Sequence, residues 1–371
     1  MKKLMIVVIG SLMVSALSFG TLSCSQKGAE KSSPAASNLS EAKNLVGAGA
    51  TFPAVLYTKW FSEYLKLFGV QINYQSIGSG GGIKSISDMT VDFGATDGPM
   101  TDEQLTAAKG GPIVHIPAAM GAVVPTYNVP ELSDSTSILK FSSETLSGIF
   151  LGNIVKWNDP KLVADNPVLQ NLDKDIVVVH RSDGSGTTNI WTSYLTAVSE
   201  DWAKKVGAGN SVQWPVGLGG KGNEGVAGVV KQTPYSIGYV ELAYANQNKL
   251  PVAQVKNKSG KWITPTMKSV SLAAQGVVLP EDMRVKLVNS DNPDAFPIAG
   301  FTWLLAYTTQ TDPAKALALT RMLWWVIHDG QQYCEVLDYA PIPSDAVKQA
   351  EKLIKKITIN GKQALPDSIS K

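Results

Sequence analysis

Two cysteines and three histidines are few for a chain of 371 residues. His115, His180 and His328 lie far apart in the sequence, and neither HExxH nor CxxC occurs, so a His/Cys metal centre has no evident ligand set. Charge is also scarce: 17% of residues are Asp, Glu, Lys or Arg, against about 25% in ordinary soluble domains. That speaks against extended disorder beyond the N-terminus. The formal net charge is +2. With Lys2 and Lys3 set aside as part of a leader, 31 basic residues face 31 acidic ones. A neutral chain has no electrostatic footprint for nucleic acid, so any affinity for an anion must come from a local arrangement. The most apolar N-terminal run, Leu4 to Phe19, falls short of the roughly 20 residues a spanning helix needs. No internal repeat is evident.

What is present is ample core material: 44% apolar residues and 9 Trp, enough for one or two domains. Met1-Lys2-Lys3, the apolar run and the small residues before Cys24 have the layout of an export signal, expected at 1–23. The stretch TLSC resembles a bacterial lipobox, with Thr21 where Leu is usual, and implies a lipidated Cys24. The alternative is ordinary cleavage near Ser23 with Cys24 a plain thiol. Residues 24–43 are polar, rich in Ser, Ala and Lys and without periodicity, so they read as a lipidated flexible tether. A lipidated Cys24 leaves Cys334 without a disulfide partner, as a buried free thiol.

The folded part begins near Asn44. Leu45–Gly49 reads as a strand, and a helix follows with Pro53 in its first turn and an apolar stripe through Val55, Leu56, Trp60, Tyr64, Leu67 and Phe68. Gly69 ends that helix. Val70–Ile77 alternates as a strand. GSGGG leads to a helix over Ile83–Met89, and Val91–Thr96 is a strand ending at Asp97. This is the grammar of a mostly parallel sheet with crossover helices. A short helix is expected over Asp102–Lys109. Ile113–Tyr127 is nearly continuous apolar sequence, suited to buried strands. Further helices are expected over Phe141–Phe150, Asp201–Val206, Val226–Gln232, Pro313–Ile327 and from Asp345 towards Ile359, the last with Ser344 as cap. Strands are expected at Ile176–Val179, Ile237–Val240 and Phe296–Thr308, with a hairpin around Ser259-Gly260.

Three loops share one design: strand end, small polar residues, helix start. They are Ala48–Pro53, Ile77–Ile83 and Arg181–Thr188. In open α/β sheets ligands bind beyond the carboxyl ends of strands, and a helix N-terminus there is a ready anion site. The third loop, with its helix opening near Thr187 or Thr188, adds the planar charge of Arg181 and the hydroxyls of Ser185 and Thr187. Asp183 reads either as the partner that fixes the Arg181 fork or as an exposed turn Asp. Asp97 ends a strand on the same side. It reads either as an acceptor that selects a protonated oxyanion, or as a turn cap or partner of Arg181. Gly217-x-Gly219-x-x-Gly222 fits a dinucleotide fingerprint formally but lacks the surrounding half-domain, so it reads as a turn. His180 has no nucleophile placed with it beyond common Ser and Thr, and reads as a spacer.

GAGATFPA with a KW pair after it, IGSGGG-IK, VDFGATD, RSDGSGTT and WPVGLGGKGNEG-V together resemble the phosphate-binding proteins of bacterial Pst ABC transporters, from about Gly47 to the C-terminus. The resemblance implies an α/β, two-lobed periplasmic-binding-protein fold of type II, each lobe a mixed, mostly parallel sheet flanked by helices. Lobe one would comprise 44–118 and 297–371, and lobe two 119–296, with crossings near Pro117–Ala118 and Phe296–Pro297. It also implies phosphate contacts from Thr51, Phe52, Ser79, Asp97, Arg181, Ser185, Gly186 and Thr187. Asp97 would accept the ligand's proton and Asp183 would support Arg181. Gly80 stands where many relatives have a second Ser, Thr96 where many have Ser, and His180 where some have a second basic residue.

The function these features imply is high-affinity binding of inorganic phosphate in an inter-lobe cleft and its delivery to membrane permease subunits of an ABC transporter. The protein would be exported to the cell envelope, lipid-anchored and facing the periplasm or cell exterior. A monomer is expected, not an enzyme, with no cofactor, metal or nucleic acid. The alternatives are a receptor for another oxyanion and a periplasmic phosphatase using His180 or a loop Ser.

Overall fold

The computed structural model describes residues 41–133 and 137–369. The expected leader, Cys24 and the tether up to residue 40 lie outside the described residues. Glu41 and Ala42 are tied to the fold: Arg321 Nη1 donates to Glu41 Oε2 at 2.5 Å and Ala42 N to Ala314 O at 3.1 Å.

The chain opens with β1 (Asn44–Gly49), α1 (Ala54–Phe68), β2 (Gln71–Ser76), α2 (Ser79–Ser87), β3 (Phe93–Thr96) and α3 (Asp102–Thr106), then β4 (Ile113–Asn128). Next come β5 (Lys140–Phe141), α4 (Ser143–Phe150), α5 (Pro160–Asp165), β6 (Val177–Arg181), α6 (Gly186–Val198), α7 (Glu200–Lys205), β7 (Leu218–Gly220), α8 (Gly222–Gln232) and β8 (Ser236–Glu241). They are followed by α9 (Leu242–Gln247), β9 (Gln254–Lys256), β10 (Trp262–Ile263), α10 (Met267–Ala273), β11 (Ala299–Tyr307), β12 (Thr309–Gln310), α11 (Pro313–Ile327), α12 (Ser344–Lys355), β13 (Thr358–Ile359) and β14 (Lys362–Gln363).

Eight strands form one mixed sheet in the order β2-β1-β3-β11-β4-β8-β6-β7. The pairs towards its two ends are parallel and the central ones antiparallel. The long apolar run is one strand, β4, buried from Ile113 to Tyr127. Its first part, Ile113–Ala122, pairs with β11, and its second, Val123–Asn128, pairs with β8. Proline cannot donate to a ladder. Pro117 accordingly sits at a register shift opposite Trp303, and Pro125 lies past the end of the β11 pairing.

Helix α1 buries Leu56, Tyr57, Trp60, Phe61 and Tyr64, one stripe at helical spacing, and ends at Gly69 with φ 65°. Trp60 Nε1 donates to Gly330 O at 2.6 Å. Helix α11 starts at Pro313, with Asp312 accepting from the N–H groups of Ala314 and Lys315.

Several helix starts differ from the sequence reading. Helix α2 begins at Ser79, not Ile83; α6 at Gly186, not Thr187; α8 at Gly222, not Val226. Glycine's low helix propensity hides these first turns, but crowding requires it. A Cβ on Gly82 would lie 2.5 Å from Gly49 Cα and from Ala95 O. Helix α12 ends at Lys355, and Ser344 is its first residue, following Pro343, which makes no side-chain cap bond. Gly217–Gly222 is more than a turn: Leu218–Gly220 is a strand parallel to β6.

Candidate functional site

Four parallel strands, β1, β2, β6 and β7, each end in a loop that opens a helix: α1, α2, α6 and α8. The first-turn N–H groups of such helices have no carbonyl one turn back, and their dipoles favour negative charge. Strand β3 ends beside them at Asp97.

Arg181 closes β6 and its side chain is 1% exposed. Its Nε donates to Asp183 Oδ1 at 2.8 Å and its Nη2 to Asp183 Oδ2 at 2.6 Å. Nη1 donates to Thr187 Oγ1 at 3.3 Å. Asp183 thus holds one edge of the guanidinium, and two of the five donors stay available on the other. Burial raises the Asp183 carboxyl, but the Arg181 bonds and charge and the N–H of Gly222 outweigh it and hold it below the usual range. Ser185 caps α6, accepting from Thr188 N at 3.0 Å.

Thr51 and Phe52 lie between β1 and α1. Tyr244 OH donates to Thr51 O at 2.6 Å and Tyr339 OH to Phe52 O at 2.7 Å. In a trans peptide the N–H points opposite the carbonyl, so the Tyr244 bond turns the Phe52 N–H away from that phenol. The Phe52 ring is buried edge-on to Tyr339.

Ser79 opens α2 with its hydroxyl between two atoms of Asp97, donating to Oδ2 at 3.3 Å and accepting from N at 3.2 Å. Thr302, in the middle of β11, donates to Asp97 Oδ1 at 2.9 Å. Burial pushes the Asp97 carboxyl up to about 7, although Thr302, the Arg181 charge and Ser79 all pull it down. It therefore changes charge near neutrality.

The two sides meet backbone to backbone. Gly80 N donates to Gly184 O at 2.9 Å. A Cβ on Gly186 would lie 2.6 Å from Asp97 Cβ, Asp97 N and Ser79 Oγ. All the singled-out residues on both sides of the cleft are thus brought together: Thr51, Phe52, Ser79 and Asp97 at one end of the sheet, Arg181, Asp183, Ser185, Gly186 and Thr187 at the other.

The sequence reading did not single out Thr302 or Asn223. Asn223, in the first turn of α8, is fully buried and bonded to both Thr51 and Thr187. Its loop has the same strand, glycine and helix design as the other three, which was the available signal. His180 stacks on Trp214 with ring centroids 4.7 Å apart and its Nδ1 3.0 Å from Arg181 O. Burial lowers its proton affinity, and packing is the role the contacts give it.

A sheet whose two ends bring helix N-termini together, with Gly186 against Ser79 and Asp97, is the architecture of a bilobal ligand-binding protein. The chain matches the PBP superfamily domain over residues 30–320. A phosphate-binding protein PstS of Haemophilus influenzae is 45% identical over 309 residues, covering 83% of this chain and 91% of that protein. One from Methanocaldococcus jannaschii is 39% identical, covering 81% and 82%. A high-affinity periplasmic phosphate-binding protein solved with phosphate bound shares the fold at TM-score 0.66 and 20% identity, covering 83% of this chain and 93% of that one. The chain belongs to the PBP superfamily and, within it, to the PstS family of phosphate-binding proteins, and its fold is the two-lobed one expected.

Proposed function

We propose that this chain is a receptor that closes two lobes on one inorganic phosphate and delivers it to the permease of an ABC transporter, without catalysing a reaction. The observation that carries the reading is a buried Arg181 fork, held by Asp183, whose charge acts on a second carboxyl, the buried Asp97. An anion is wanted by the first, and an anion that carries a proton by the second. Phosphate keeps a proton at neutral pH and sulfate does not. The relatives at 39–45% identity are named phosphate-binding proteins, and one structure sharing the fold is a putative phosphate ABC transporter substrate-binding protein with phosphate bound, from Clostridium perfringens.

In this reading Thr51, Ser185 and Thr187 give hydroxyl donors, Ser79 adds its own by turning its proton from Asp97 to the ligand, and Phe52, Ser79, Gly186 and Thr187 give N–H donors. Arg181 neutralises charge, Asp183 holds it in plane, and Asp97 takes the ligand's proton. Charge-assisted bonds worth about 1.5–3 kcal/mol each bring several such contacts past the roughly 8 kcal/mol of micromolar binding.

The lobes would be 44–118 with 297–371, and 119–296, moving about the crossings as a hinge. The change of β4 partner between Ala122 and Val123 supports a division close to the first crossing. Export, a lipid anchor at Cys24 and a monomeric state complete the proposal. Among the described residues no helix is long and apolar enough to cross a membrane.

Titration with phosphate, sulfate and arsenate, followed by calorimetry or tryptophan fluorescence, tests the function. Tight phosphate binding, weak sulfate binding and no turnover of a phosphomonoester are expected. Sulfate binding as tight as phosphate, or turnover, would refute it.

A further inference from the structure

We infer that Asn223 is a positioning residue whose single amide fixes the donor sense of two hydroxyls on opposite sides of the cleft. The inference rests on the anion-site reading above and deepens it. The two protons of Nδ2 go to different jaws: one to Thr51 Oγ1 at 2.8 Å, the other to Thr187 Oγ1 at 3.0 Å. The amide cannot be turned over without loss, because Oδ1 accepts from Glu241 N at 2.9 Å. Asn223 is fully buried, so these bonds are shielded from bulk solvent.

A hydroxyl oxygen has two acceptor lobes and one proton. At Thr51 both lobes are filled, by Asn223 Nδ2 and by Asn223 N at 3.2 Å. At Thr187 they are filled by Asn223 Nδ2 and by Arg181 Nη1 at 3.3 Å. Each hydroxyl is left with its proton alone to offer, and both become obligate donors to whatever lies in the cleft. The site then reads a ligand's protons by position. Bare oxygens belong at Thr51 and Thr187, and the proton belongs at Asp97. The same amide ties the jaws together only when they are closed, so it also slows ligand escape.

Asn223→Asp keeps the shape and reverses the sense, since a carboxylate would accept from both hydroxyls. Phosphate affinity at about pH 8 should fall by about 100-fold or more, the scale for two buried donors turned the wrong way. The loss should lie mostly in the dissociation rate seen by stopped-flow tryptophan fluorescence. At about pH 5 the introduced carboxyl, once protonated, regains one donor, so the gap to wild type should narrow, which a purely structural role would not produce. A folded Asn223→Asp protein within about threefold of wild type, or a gap constant with pH, would overturn the inference. A cycle of Asn223→Ser with Thr51→Val provides a second arm. Losses clearly short of additive support the inference, and additive losses overturn it. Failure of the wild-type protein to bind phosphate would instead refute the site reading, so the two failures are distinguishable.

Discussion

Raising the pH should make this protein progressively blind to sulfate while leaving phosphate binding nearly unchanged. The reasoning starts from Asp97, whose buried carboxyl is pushed up to about 7. Below that value it carries a proton and can donate to a sulfate oxygen. Above it, a carboxylate faces an oxygen with no proton between them, so sulfate must take up one proton to bind. Each pH unit above about 7 then weakens sulfate by a further factor of about ten, or about 1.4 kcal/mol. Phosphate brings its own proton across this range. The ratio of the two affinities should therefore climb by about 100-fold between about pH 7 and pH 9. Asp97→Asn carries a permanent N–H donor, so its sulfate affinity should be flat with pH and, near pH 9, about 100-fold above that of wild type. Calorimetry in buffers of different ionisation enthalpy reads the proton uptake directly. The ligand-free protein supplies a control of fixed sign. The folded value lies above the unfolded one of about 3.9, so the stabilising proton is fully present below about pH 4 and is lost as the pH rises through about 7. A sulfate affinity that does not change between about pH 6 and pH 9 in the wild type, or that keeps its slope in Asp97→Asn, would refute the reasoning.

Arg181→Lys keeps the charge but loses the planar fork that spans Asp183 and Thr187. Phosphate affinity should fall by about 100-fold or more, and calorimetry showing less than a threefold loss would count against Arg181 as the anchor. Asp183→Ala strands a guanidinium that is 1% exposed and should cost about 3–5 kcal/mol of stability without ligand. Because a bound anion would compensate the stranded charge, phosphate should raise the melting temperature of this variant more than that of wild type, as scanning calorimetry can measure. Cys334 is buried and burial pushes its thiol up to about 12; it should resist a thiol-specific disulfide reagent in the native state and react at once in denaturant.

The parts of the site legible in the sequence were those where chemistry is compressed into a short stretch. Arg181, Asp183, Ser185, Gly186 and Thr187 fall within one loop, so their association needed only the local grammar of strand, glycine and helix. That Thr51, Ser79 and Asp97 join them was legible because each also follows a strand. Thr302 was hidden for the opposite reason. It is one hydroxyl inside an apolar strand, and its partner Asp97 is 205 positions away. Asn223 was hidden because nothing in its glycine-rich loop, though that loop is part of the family resemblance, singles out the amide, and its partners Thr51 and Thr187 lie 172 and 36 positions away. The same glycines masked the first turns of α2 and α8. Local propensity argues against a helix there, and the crowding that demands glycine exists only once the strands are assembled.

The meeting of the two jaws at Gly80, Gly184 and Gly186 has a consequence for how the protein tolerates change. Where chains touch through bare backbone, the harmful event is the gain of an atom rather than its loss. An alanine scan, designed to subtract, would pass over Gly80 and Gly184, whose α-carbons approach closely enough that a Cβ on either would lie 3.1 Å from the other. The room left between the jaws at this seam is little more than a hydrogen wide, and a single methyl group there would have to push backbone aside before the jaws could shut.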